Sequence, residues 1–245
     1  MRYLESLSDF FKSPRWTMNL LLAAVCSLIP IVGPMVVHGW LIGGFWGRAS
    51  SDPATFPDFD FNRFTKYLTR GLWPFLVSLV FGLALMVVIM LLEVVVGVAM
   101  AVLAGGGGGH HGHVSGVLAV LAMLVGFMMY LLLIVGFIVI LKPFFLRAEL
   151  MQDFGKAFDF RFARRFIKLT WVECVVSSLF VVAASIVLMT AGMLVLCVGM
   201  YLAMGPLYFM TCHLNKQIYQ IFLARGGEAV PFSPLLRDDP PPMPV

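Results

Sequence analysis

Apolar positions in the first dozen residues recur at helical spacing. Tyr3, Leu4, Leu7, Phe10 and Phe11 are separated by Arg2, Glu5, Asp9 and Lys12. That pattern predicts an amphipathic interfacial helix over 2–13, ended by Pro14. Residues 17–47 are apolar throughout but broken by Ile29-Pro30-Ile31-Val32-Gly33-Pro34. Each arm is about 12 residues, roughly 18 Å at helical rise, which is short of a hydrocarbon core of about 30 Å. A broken or re-entrant hairpin over 17–47 is therefore expected, its backbone covered by other helices. A single kinked span, with the N-terminus on the opposite side, is the alternative.

Beyond residue 70 the apolar runs are long enough to cross a bilayer, and spans are expected at about 71–104, 114–141, 171–189 and 192–213. Gly105 to Gly109 divides the first two, Lys142-Pro143 closes the second, and Thr190-Ala191-Gly192 is the expected turn between the last two. Two segments before spans share a pattern. Phe59-Asp60-Phe61 and Phe158-Asp159-Phe160 each lead into a basic, amphipathic stretch, which predicts surface helices at 60–70 and 159–169. Each Asp is placed as an N-cap. A surface helix followed by a helical hairpin, repeated, is the internal pseudo-repeat this suggests. Residues 225–245 carry Pro231, Pro234 and Pro240 to Pro242 and are expected to form a disordered tail.

Composition fixes the solvent. Of 245 residues, 60% are hydrophobic and 12% charged, against about a quarter charged in soluble domains. The fold class expected is an all-α polytopic membrane protein, with residues 1–224 as one transmembrane domain. The start, although basic before an apolar run, lacks a small-x-small cleavage pattern, so the N-terminus is expected to be retained. Cys26, Cys174, Cys197 and Cys212 all lie in or beside apolar stretches, and buried thiols rather than disulfides are expected.

Placement of charge predicts orientation. Arg48, Arg63, Lys66 and Arg70 lie in one connection, Lys142 to Lys168 supply seven cations to another, and Lys216 and Arg225 lie near the tail. The positive-inside rule puts these segments in the cytoplasm and the histidine-bearing connection outside, in a prokaryotic inner membrane. Their expected partner is the bilayer, with anionic headgroups at Arg63, Lys66 and Arg70 and at Arg161, Arg164, Arg165 and Lys168. Nucleic acid is not expected.

The order of an amphipathic start, Ile29-Pro30-Ile31-Val32-Gly33-Pro34, Gly39 followed by an aromatic, Pro57-Asp58-Phe59, Gly71 opening a long span, and His213 to Tyr219 resembles the prokaryotic domain-of-unknown-function family 4013. The resemblance runs from about Leu4 to Phe222. It implies an integral membrane protein and brings no catalytic residue. Trp40 stands where that family is expected to have tyrosine.

Candidate chemistry is sparse. His110, His111 and His113 follow five glycines, and imidazoles on a loop can converge on a metal ion, with Glu93 as a fourth ligand. Against this stands a polar turn facing water and headgroups. Glu93 is also the single formal charge between Gly71 and Leu141, hence a functional candidate in its own right. Glu173 is expected to pair with Lys168 or Lys142. Gly39, Gly43 and Gly47, spaced by four, predict a close helix-packing face. Trp40 and Trp46 suit interfacial anchoring. No Walker loop, His-Glu-x-x-His, Gly-x-Ser-x-Gly or Cys-x-x-Cys is present, so neither an enzyme nor a cofactor is expected. A non-catalytic scaffold or accessory subunit, with a homo-oligomer or another membrane protein as partner, leads. A transporter or lipid-handling protein, and an outward-facing metal protein using the histidine loop, are the alternatives.

Overall fold

In the computed structural model, residues 1–48, 52–105, 112–195 and 198–236 are described, apart from the side chains of 100, 103–105 and 112–119. Helices α1 (Tyr3–Ser8), α2 (Trp16–Ser27), α3 (Val32–Trp46), α4 (Phe64–Gly105), α5 (Gly112–Met151), α6 (Phe154–Ala157), α7 (Phe160–Leu194) and α8 (Val198–Ala224) follow in order. Among the described residues there is no strand. Three segments, Phe61–Ala99, Val120–Met151 and Phe160–Leu194, are long and apolar enough to cross a membrane. This is the all-α membrane class expected from composition.

The described chain gathers into two compact units, Met1–Ser78 with Val139–Val245, and Leu79–Ile138. In the first, α2 and α3 form a helical hairpin around the Pro30 break. Val32 donates its backbone N–H to the Pro30 carbonyl at 2.7 Å, and Ile31 between them has φ +67° and ψ −58°. This is a γ-turn with a β-branched residue in its left-handed centre, a strained conformation. Gly33 then allows the α3 start to touch α2, because a Cβ there would lie 1.8 Å from the Cys26 carbonyl oxygen.

Aromatic packing holds this unit together. Phe10, Trp40, Phe45, Phe56, Phe59, Tyr67 and Phe209 share one core cluster. Buried Asn19 fixes the loop before α4, accepting from the Phe59 N–H at 2.9 Å and donating to Asp58 Oδ1 at 3.2 Å. Asp60 and Asp159 cap the turns that follow them, accepting from Asn62 N–H and Phe162 N–H. Phe162, Ala163 and Phe166 are buried, whereas Phe160, Arg161, Arg164, Arg165 and Lys168 are exposed. Thr170 departs from helical geometry at φ −132° and kinks α7 between this stretch and the apolar remainder. The helix continues past the Thr190-Ala191-Gly192 segment to Leu194.

The expectations for the tail and for Arg70 need correction. Residues up to Leu236 do not form a disordered tail: Ser233 donates its N–H to the Leu150 carbonyl, Val230 to the Tyr219 hydroxyl, and Val230 and Leu236 are buried. Residues 237–245 lie outside the described residues. Arg70 is not on a lipid-facing surface either. It is 2% exposed and donates from Nε and Nη2 to the carbonyls of Leu235 and Leu236 at 2.9–3.0 Å. The tail accepts from two of the guanidinium nitrogens, and the guanidinium in turn anchors the tail; local sequence carries no trace of a partner so distant along the chain.

In the second unit, α4 and α5 expose Leu83, Met86, Leu91, Val94 and Val95 and Leu121, Met123, Phe127 and Leu132, respectively. Phe81 and Phe137 meet edge to face with centroids 6.2 Å apart. Helices apolar around their circumference require an apolar surrounding.

Candidate functional site

Polar groups are costly in an apolar interior unless each finds a partner. The first unit concentrates them where α3, α5 and α8 meet. On α5, Lys142, Glu149 and Gln152 recur at intervals of seven and three, which keeps them near one helix face. Cys212 and Asn215 share a face of α8, and His38 and Trp46 lie two turns apart on α3.

His38, Glu149 and Cys212 are 7%, 0% and 1% exposed. Nε2 of His38 lies 2.9 Å from Glu149 Oε1, and Cys212 Sγ lies 3.7 Å from His38 Nδ1. The other carboxylate oxygen accepts from Trp46 Nε1 at 3.2 Å. Phe145 and Tyr208 flank the imidazole, with ring centroids 5.0 and 6.2 Å away. Nearby, Lys142 donates to Asn215 Oδ1 at 3.3 Å, and Gln152 Nε2 donates to the carbonyls of Glu149 and Arg70.

One side chain from each of three helices thus offers sulfur, nitrogen or oxygen, and the three donor atoms lie within 4.8 Å of one another. Among the described residues this is where metal-ligating side chains converge. A thiol, imidazole and carboxylate in series are also the parts of a nucleophile, base and orienting group. Burial of Cys212, however, gives no substrate an approach to the sulfur in this conformation.

The residues singled out by sequence lie elsewhere. Glu93 is exposed on α4. His110 and His111 lie outside the described residues, as does the side chain of His113, so the metal expectation there is not addressed. Arg63 and Lys66 are exposed, and Arg63 pairs with Asp60 at 3.9 Å. Gly39, Gly43 and Gly47 all meet other parts of this chain. A Cβ would fall 1.8 Å from the Tyr67 carbonyl oxygen at Gly39, 2.6 Å from Arg70 Nη1 at Gly43 and 2.3 Å from the Leu236 carbonyl oxygen at Gly47.

Other aromatic and charged residues also find unexpected partners. Trp40 is an interior residue, 1% exposed, donating from Nε1 to the Pro57 carbonyl. Trp46 is half-buried and donates from Nε1 to Glu149 Oε2. Glu173 pairs with Arg225 instead of Lys168 or Lys142. Sequence reasoning missed His38 and Glu149 and treated Cys212 only as a buried thiol. Their visible signal was the recurrence of polar residues on single helix faces within apolar runs.

No curated protein and no solved structure matches the chain. The sequence model of the family described as "Protein of unknown function (DUF4013)" matches residues 22–197, from within α2 to the end of α7 and the connection that follows it. With that match over most of its length, and an all-α structure with three membrane-length helices, the chain belongs to the DUF4013 family.

Proposed function

We propose that this protein is a non-catalytic scaffold or accessory subunit of a prokaryotic inner membrane, which holds anionic lipid on the cytoplasmic side. One observation carries the reading. At the start of α7, Arg161, Arg164, Arg165 and Lys168 line an open cleft with Phe160, on the side opposite buried Phe162 and Phe166. Past Thr170 the same helix becomes an apolar, membrane-length segment. Cations with an adjacent exposed aromatic, next to a span, suit phosphate-bearing headgroups and acyl chains together. Each cation near an anionic surface contributes about 1 kcal/mol.

The Asp60-Phe61 and Asp159-Phe160 segments serve as two copies of one entry device in this reading, although Arg70 contributes to the interior rather than to lipid in the first. The positive-inside distribution supports a cytoplasmic position for both. The glycine face supports intrachain packing, so any assembly surface lies elsewhere.

The test is native mass spectrometry from nanodiscs containing equal phosphatidylglycerol and phosphatidylcholine. Wild type is expected to retain phosphatidylglycerol preferentially, and changing Arg161, Arg164, Arg165 and Lys168 together to Gln to reduce that preference about tenfold or more. Equal retention of both lipids by the wild type, or an unaltered preference in the variant, would remove the lipid-holding assignment.

A further inference from the structure

We propose that His38, Glu149 and Cys212 form a binding site for a divalent metal ion of the zinc type, clamping α3, α5 and α8 together. The donor set is the first argument. Thiolate, imidazole and carboxylate are all ligands of zinc, and three of them leave one coordination position for water or another small ligand. The mixture of one soft and two harder donors favours a borderline ion over calcium or magnesium, which take oxygen ligands.

Charge is the second argument. Glu149 is wholly buried, and a buried carboxylate demands compensation. A divalent ion with thiolate, carboxylate and neutral imidazole sums to zero, the arrangement best suited to a low-dielectric interior. An imidazolium–carboxylate pair would also balance Glu149, but it would leave Cys212 without a role. Lys142, the nearby cation on α5, is engaged by Asn215.

Geometry is the third. Zinc–sulfur and zinc–nitrogen bonds of about 2.3 and 2.0 Å in a tetrahedron place the two ligand atoms roughly 3.5 Å apart. Cys212 Sγ and His38 Nδ1 are 3.7 Å apart. The carboxylate presently accepts at the opposite ring nitrogen, so metal uptake exchanges that hydrogen bond for coordination and turns the imidazole until one nitrogen faces both partners. Trp46 Nε1 already holds the second carboxylate oxygen, the kind of outer contact that orients a metal ligand. Cys174 and Cys26 differ. The former neighbours the Thr170 hydroxyl, and among the described residues neither joins a group of three ligating side chains.

The experiment uses the full chain in detergent, stripped of metal and titrated separately with Zn²⁺ and Co²⁺. Wild type is expected to bind about one ion per chain, Co²⁺ giving a near-ultraviolet thiolate charge-transfer band and the intense visible bands of tetrahedral coordination. Cys212→Ser, nearly isosteric, should abolish the thiolate band while retaining helical circular dichroism. His38→Gln and Glu149→Gln should weaken Zn²⁺ binding more than tenfold, and Trp46→Phe about tenfold through the carboxylate. Replacing His110, His111 and His113 together by Ala should leave the cobalt spectrum intact. A folded wild type without the thiolate band would overturn the site. So would a band that survives Cys212→Ser or disappears only in Cys26→Ser or Cys174→Ser. None of these outcomes bears on lipid retention, which is read in a separate measurement.

Discussion

At Gly39 an added methyl group would collide with backbone rather than with a movable side chain, since the Tyr67 carbonyl oxygen would be 1.8 Å away and the Gly71 nitrogen 2.9 Å. Gly71 is the reciprocal contact on α4, where a Cβ would lie 1.9 Å from the Met35 carbonyl oxygen. Two glycines therefore let two helix backbones meet. Gly39→Ala is expected to destabilise the protein by about 1–3 kcal/mol through overpacking. Gly82→Ala on the open face of α4 meets nothing within 4 Å and should stabilise by up to about 1 kcal/mol through helix propensity. Thermal unfolding in one detergent checks both; equal shifts would count against the close crossing. Gly43 faces a guanidinium tip, so its substitution has more room for adjustment.

Among the elements, the α2–α3 hairpin was the most legible from sequence because its cause is local. Pro30, Gly33 and Pro34 interrupt an apolar run, and the structure breaks there. Left-handed Ile31 was not legible, because nothing in its identity announces a conformation that its own side chain opposes. Ile31→Gly should release about 1–3 kcal/mol of backbone strain against about 0.5–1 kcal/mol of added chain entropy, for a net gain of about 1 kcal/mol. A higher unfolding midpoint for this variant is the expected result, and a lower one would mean that the turn carries no strain. The His38 site was hidden for a different reason. Its members are separated by 111 and 174 positions, so their convergence depends on how three helices pack. Arg70 was misplaced because helical phase groups it with Arg63 and Lys66, while its acceptors lie 165 positions away.

For the whole molecule, apolar surface is distributed unevenly. The Leu79–Ile138 unit is apolar and largely exposed, while α3 is almost entirely buried. In a bilayer, a membrane-partitioning carbene reagent is expected to label peptides from 79–138 at least about fivefold more heavily than those from 32–46, given lipid contact around apolar helices. Comparable labelling of the two would show that residues 79–138 are covered by protein rather than by lipid. Composition made membrane residence readable, but it could not distinguish lipid-facing apolar residues from those facing protein, because both environments select the same side chains.

The seat of Arg70 also imposes an order in time. A ribosome makes this cation long before Leu235 and Leu236, whose carbonyls accept from it 165 and 166 positions later. The bundle can therefore acquire its helices during synthesis, yet the polar seam beside Gly43 and Gly47 is complete only after the 228–236 segment has arrived. A chain ending ahead of that segment would lack the Leu235 and Leu236 carbonyls that accept from Arg70.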